Sequence, residues 1–165
     1  MKTALIELPI ATGDGTYLAG YSDKGLAEMS FPSKRSERIS SENSKVSTKI
    51  LRWHKMTTQA LKAMLAGREP ADLPPLDWTG FTEFQQSVWG VMLAIPTGKT
   101  KSYGEVAAAI GSPKAVRAVG SACGKNPIPV LVPCHRILAA NNKIGGFTSG
   151  LERKYDLLKR EGITF

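Results

Sequence analysis

Apolar and polar positions alternate over the first thirty residues, then recur at three- and four-residue steps. The chain therefore divides into a strand-rich start and a helical remainder. Three short strands are expected in ALIELPI (4–10), TYLAGYS (16–22) and GLAEMSF (25–31). Turns at Gly13-Asp14-Gly15 and Asp23-Lys24-Gly25 separate them. The stretch PSKRSERISSENSKVSTK (32–49) is rich in serine and charge, lacks apolar periodicity and reads as an exposed connecting loop. A helix is expected from Ile50 to Ala66, where Ile50, Trp53, Thr57, Leu61, Met64 and Leu65 share one face and Gly67 ends the run. His54 borders that face as a packed or surface side chain. The prolines of GREPADLPPLDWTG mark an extended linker, giving an N-terminal lobe of residues 1–76 and a C-terminal lobe of residues 77–165.

In the second lobe, FTEFQQSVWGVMLAI predicts a helix capped by Thr82, with Phe84, Val88, Val91, Met92 and Ile95 as its apolar stripe. Two shorter helices follow, Ser102–Ile110 and Lys114–Lys125, broken by Gly111-Ser112-Pro113. That order has helix-turn-helix grammar. On the second of them Val116, Val119 and Cys123 project together and are expected to be buried, with Cys123 a small core residue. Arg117 and Ser121 lie on another side, flanked by Ala118 and Gly124. A face this small admits close approach to a partner backbone. Without Asn or Gln it is poorly equipped to read bases, so docking should tolerate many sequences. IPVLVP (128–133) reads as a buried strand leading into Cys134. A final helix in SGLERKYDLLKREG should place Leu151, Tyr155 and Leu158 on one face, with Gly162 beyond its end.

Composition changes this picture only modestly. With 165 residues, 42% of them hydrophobic, the chain suits one medium domain or a small lobe joined to a larger one. A formal charge of +8 favours phosphate-bearing polymers, although a solvated basic surface would account for it equally. Glu7 interrupts the N-terminal apolar run, no cleavage site follows, and no stretch is long enough to cross a bilayer. A cytoplasmic protein is expected, nucleoid-associated or, in a eukaryote, nuclear. Two cysteines and two histidines provide neither a disulfide framework nor a structural zinc site, so no metal and no cofactor is expected.

Candidate chemistry concentrates in VLVPCHRIL. Cys134 could be a buried thiol, a metal ligand or a nucleophile. A nucleophile needs its proton removed, for which His135 is the obvious base and Arg136 a source of positive potential. Neighbouring side chains on a strand point to opposite faces. Either the chain turns sharply after Pro133, or a water bridges thiol and imidazole. A third group must also hold the histidine, and the carboxylates that follow are Glu152, Asp156 and Glu161.

FQQSVW (84–89), SYGEVA (102–107), KAVRAVGSACGKNPIPVLVPCHRI (114–137) and GGFTSGLERKYDLLKREG closely resemble the O6-alkylguanine-DNA alkyltransferases. The resemblance covers about half the chain; the N-terminal half matches only in layout. It implies an α+β fold, in which a small N-terminal β-sheet and helix lobe precedes a mainly helical lobe carrying a helix-turn-helix and an active-site cysteine. It implies single-turnover transfer of an alkyl group from O6-alkylguanine, and from O4-alkylthymine, in double-stranded DNA, by a monomer without cofactor. Cys134 would then be the acceptor and His135 its activator through a water. Glu161, at 161 − 134 = 27 positions beyond the cysteine, would orient the histidine. Asn126 would tie the helix-turn-helix to the active-site turn. Tyr103 would press on the target phosphate and assist the leaving guanine. Arg117 would enter the duplex in place of the extruded base. Ser102, Ala115, Ala118, Gly120 and Lys125 would complete a minor-groove surface, while Pro129, Ile137, Phe147 and Thr148 would form the substrate pocket.

Two positions depart from the family pattern. Phe147 stands where relatives often carry Tyr, and Thr148 where Ser is frequent, which leaves tolerance for bulky adducts open. The zinc ligands of some relatives are missing. Three rival classes compete with the transferase reading: a non-reactive damage-binding relative, a helix-turn-helix regulator with an inert thiol, and a cysteine hydrolase. The cysteine at 134 speaks against the first. A regulator predicts sequence-specific binding, and a hydrolase would need an oxyanion site.

Overall fold

The computed structural model describes residues 4–40 and 45–165. These form two compact units. One runs to Lys62 and includes Pro70–Thr79; the other comprises Ala63–Glu69 and Gly80–Phe165.

In the first unit, strands β1 (Ile6–Thr12), β2 (Gly15–Tyr21) and β3 (Leu26–Ser30) form an antiparallel sheet in that order. The register runs from Ile6 opposite Tyr21 to Thr12 opposite Gly15. Alternation buries Leu8 and Ile10, and β2 is buried from Tyr17 onward. The proline segment is less free than a linker. Leu26 exchanges hydrogen bonds with it, from its N–H to the Pro75 carbonyl and from Asp77 N–H to its own carbonyl, each 2.8 Å. Gly25 permits this approach, since a Cβ there would strike the Pro75 carbonyl.

The serine-rich stretch holds a helix that periodicity did not reveal, α1 (Lys34–Arg38), capped reciprocally by Ser33 and Ser36. Residues 41–44 of that stretch lie outside the described residues, as do 1–3. Helix α2 (Thr48–Leu65) buries Ile50, Trp53, Thr57 and Leu61 as its pattern predicts. His54 is packed: its Nε2 donates to the Pro9 carbonyl (3.2 Å) and its Nδ1 accepts from the Tyr21 hydroxyl (2.8 Å).

After Gly80 the second unit continues with α3 (Glu83–Leu93), where Thr82 and Gln85 form the capping box. Its core contacts include Trp89, absent from the expected stripe yet fully buried, whose indole N–H donates to the Ala122 carbonyl at 2.9 Å. The two-residue strand β4 (Lys101–Ser102) leads into α4 (Tyr103–Ala109), and α5 (Val116–Gly124) follows as the second helix of the expected pair. Strand β5 (Ile137–Leu138) pairs in parallel with β4, and α6 (Leu151–Arg160) closes the unit. Among the described residues, no helix is long and apolar enough to cross a membrane.

Three expectations are corrected here. IPVLVP is buried but is no strand: Val130 has φ +73°, and the segment runs through turns. The buried side of α5 is Val119 and Ala122, whereas Val116 is 40% exposed and Cys123 faces a cavity. On α6 the buried side chains are Lys154, Leu157 and Leu158, whereas Leu151 and Tyr155 are each 43% exposed.

Candidate active site

The turns that end in Cys134 are built by Asn126. Its amide Nδ2 donates to the Val132 carbonyl (2.7 Å), and its Oδ1 accepts from the Ile128 N–H (3.0 Å). Those bonds replace the ladder partners a strand would have supplied. They also hold Val130 in the left-handed region, a conformation costing a β-branched residue roughly 1–2 kcal/mol. The chain then enters a single 3-10 turn, Cys134–Arg136. That turn is the sharp bend after Pro133, one of the two arrangements that the adjacency of Cys134 and His135 left open.

Cys134 is 9% exposed and opens onto a cavity of about 210 Å³. Burial pushes its thiol pKa up. Against this act the Asn126 amide, the Lys154 charge and the backbone N–H of His135, all of which favour thiolate. Lys154 is itself buried. Its Nζ donates to the Gly146 carbonyl (3.0 Å), and desolvation lowers its pKa to about 8.

His135 is 1% exposed, and its Nε2 donates to Glu161 Oε1 at 3.0 Å. Nδ1 is then the unprotonated nitrogen, and among the described residues it has no hydrogen-bond partner. Glu161 caps the C-terminus of α6. Arg136 grips it through Nε (3.1 and 3.0 Å) and Nη2 (2.8 Å), while Arg136 Nη1 donates to the Ile95 carbonyl at 2.5 Å. Burial would raise the Glu161 pKa, but the bonds from His135 and Arg136 outweigh it and hold it at about 2. Desolvation lowers the His135 pKa, so the imidazole is neutral at physiological pH.

A pH dependence of stability follows from these two groups. Below the ordinary histidine value of 6.5, the unfolded chain takes up a proton that folded His135 refuses. Between the ordinary carboxylate value of 4.5 and about 2, the unfolded chain likewise protonates first at Glu161. Both groups bind more protons unfolded, so stability is lost as pH falls. Urea denaturation between pH 7 and 4 should show this decline, and in His135→Gln the part between pH 7 and 5 should become shallower, the remainder belonging to His54, whose pKa burial also lowers.

The cavity is walled by Tyr103, Cys123, Pro129, Phe147 and Thr148, with Gly120 and Gly124 on the α5 side. Thr148 fixes one wall by donating to the Gly124 carbonyl (3.2 Å). A slot of this size accommodates a small planar ring beside the Cys134 sulfur.

Residues 83–163 match the family model for the DNA-binding domain of 6-O-methylguanine DNA methyltransferase. A methylated-DNA–protein-cysteine methyltransferase from Methanosarcina acetivorans is 41% identical over 162 residues, covering 98% of this chain and 99% of its own. The chain belongs to the methylated-DNA–protein-cysteine methyltransferase family. A second relative, from Mycobacterium bovis, is 50% identical over 101 residues, 61% of either chain. The crystal structure of Mycobacterium tuberculosis OGT in complex with DNA superposes with a TM-score of 0.72 at 34% identity, covering 94% of this chain and 91% of the other.

Within this methyltransferase-family fold, Cys134, His135, Glu161 and Asn126 come together, and Tyr103 stands on the cavity wall. Arg117 and Ala118 are exposed on α5, with Ala115 at its start and Lys125 at its end. Ser102 caps α4 through Glu105 (3.0 Å), and Gly120 faces the cavity. Pro129, Phe147 and Thr148 line the cavity. Ile137 does not. It lies in β5, fully buried, because the 3-10 turn rotates it away from the sulfur.

Sequence reasoning missed Lys154, Gly146, Ser149 and the cavity-facing position of Cys123. Arg136 it credited with a general positive potential, not with anchoring Glu161. Lys154 left one signal, a lone cation three residues before the Leu157-Leu158 pair on the same helical face.

Proposed function

We propose that this chain repairs DNA by irreversible, single-turnover transfer of an alkyl group from O6 of guanine to Cys134 Sγ. The bond from sulfur to the alkyl carbon forms as the O6–carbon bond breaks, and the guanine leaves with its electron pair and regains a proton. The observation that carries this reading is the buried Cys134–His135–Glu161 assembly beside a ring-sized cavity, in a chain of this family.

His135 Nδ1 is the natural acceptor of the thiol proton, through one bridging water that its buried and unpartnered position would accommodate. Glu161 holds the opposite nitrogen protonated and stabilises the imidazolium that results. Asn126 and Lys154 stabilise the thiolate. Tyr103, across the cavity, donates a hydrogen bond or proton to the departing guanine.

A stacked base cannot present its alkyl carbon in line to the sulfur, so the nucleotide must leave the duplex. The exposed side of α5 then docks in the minor groove, Arg117 filling the gap in the stack while Ala118 permits close approach. The thioether product has no leaving group, so each molecule acts once. We place it as a monomer in the compartment that holds the DNA.

The test is intact-protein mass spectrometry after mixing with a duplex carrying O6-methylguanine. A gain of about 14 Da on Cys134, capped at one per molecule, is expected. Tight binding with unchanged mass would make this a damage-recognition protein instead. A second prediction concerns Arg117→Ala. Duplex repair should slow by about 10-fold or more, while reaction with free O6-benzylguanine stays within about 3-fold, as a role in extrusion requires. Equal losses on both substrates would remove that role.

A further inference from the structure

Cys123 and Cys134 open onto the same cavity, one from the last turn of α5 and the other from the 3-10 turn. Both are free thiols. Asn126 links their surroundings: its backbone N–H donates to the Cys123 carbonyl (3.3 Å), and its side-chain amide reaches the Cys134 sulfur. The Lys154 ammonium interacts with both sulfurs. The alkyl-transfer chemistry uses only Cys134 and leaves this second, partly buried thiol without a task.

We propose that the two cysteines form a redox modification site, in which a hydroperoxide oxidises Cys134 and Cys123 then closes an internal disulfide. In the first step the Cys134 thiolate attacks the peroxide, its sulfur gains an OH, and the O–O bond breaks to release hydroxide from hydrogen peroxide or alkoxide from an organic hydroperoxide, which then takes up a proton. In the second step Cys123 sulfur attacks that sulfenic acid, the S–O bond breaks and, with the Cys123 proton, water departs. Two thiols and one hydroperoxide thus give one disulfide, one water and one alcohol or second water. A low-molecular-weight thiol reverses the reaction by exchange.

The order of events follows from the surroundings. Burial raises both thiols and the Lys154 charge favours both thiolates, but only Cys134 adjoins a base, the unpartnered Nδ1 of His135, and is also supported by the Asn126 amide. Cys134 therefore reacts with the oxidant and Cys123 resolves it. A cavity of about 210 Å³ has ample room for a two-oxygen molecule. The consequence is protective. Without a resolving partner, a sulfenic acid proceeds to sulfinic acid, which small thiols do not reduce. A protein that acts once would lose its acceptor unused.

The sequence makes the test direct, because trypsin cuts at Arg117, Lys125 and Arg136 and leaves each cysteine in its own peptide, 118–125 and 126–136. Reduced full-length protein is treated with hydrogen peroxide at near-stoichiometric ratio, alkylated and mapped without reduction. The expected result is a loss of about 2 Da, a cross-link between those two peptides, and methyl uptake that dithiothreitol restores. In Cys123→Ser, Cys134 should instead gain about 32 Da, with uptake that dithiothreitol does not restore. Cys123→Ala serves equally should the serine variant fail to fold. Sulfinic acid at Cys134 in the wild type without the cross-link would overturn the proposal, as would disulfides only between two molecules. The mass readout is independent of the repair reading: failure of the reduced protein to take up methyl would sink that reading and leave the disulfide result standing.

Discussion

Cys134→Ala takes up no methyl from O6-methylguanine in duplex DNA while binding that DNA within about 3-fold of wild type. Loss to below detection is expected because the second thiol in the cavity cannot substitute. An alkyl carbon, unlike the electrophilic sulfur of a sulfenic acid, yields only to an activated thiolate, and burial pushes the Cys123 thiol up to about 12. Cys123 also lacks a base comparable to His135. Binding should survive because Cys134 is 9% exposed, and Arg117 and Ala118 on the exposed side of α5 do not line its cavity. Single-turnover mass measurements and a fluorescence anisotropy titration on the same duplex separate the two quantities. Residual uptake mapped to Cys123 would show that the nucleophile is misassigned.

Glu161→Gln should combine a large kinetic loss with a large loss of stability. The carboxylate accepts from His135 and from Arg136, whose side chain is 2% exposed, and also from the Gly98 N–H at 3.3 Å. A neutral amide no longer stabilises an imidazolium, which should slow transfer by about 10²–10⁴-fold, the usual range for general acid–base assistance. It also leaves the Arg136 guanidinium buried without a counter-charge. Breaking one side of such a pair typically costs about 3–5 kcal/mol. For a chain of this size that corresponds to a fall in Tm of roughly 6–20 °C. His135→Gln removes the base but spares the pair, and should match the kinetic loss with far less destabilisation. Comparing both variants by single-turnover rate and by thermal unfolding tests the assignment. A Glu161→Gln protein with wild-type Tm would mean that Arg136 finds its compensation elsewhere.

The elements legible in the sequence were those whose local signal agrees with their burial. Thr82 announced the start of α3, and α2 buried the face its periodicity marks. The segment 128–133 misled because a short apolar run reports burial, not dihedral angles. The side chain of Asn126, several residues back, decides the path. On α6, a lysine counted as polar buries its whole stem and reaches a loop carbonyl, so the inward face rotated from where leucines alone would put it. The grip of Arg136 on Glu161 joins positions 25 apart, and no periodicity announces such a pair.

The separation between Cys134 and Glu161 has a consequence for how the molecule comes into being. A ribosome delivers the sulfur before it delivers the carboxylate that orients its base, and α6 must fold in between. The nascent chain therefore carries an unarmed thiol until α6 has emerged and brought the carboxylate to its base.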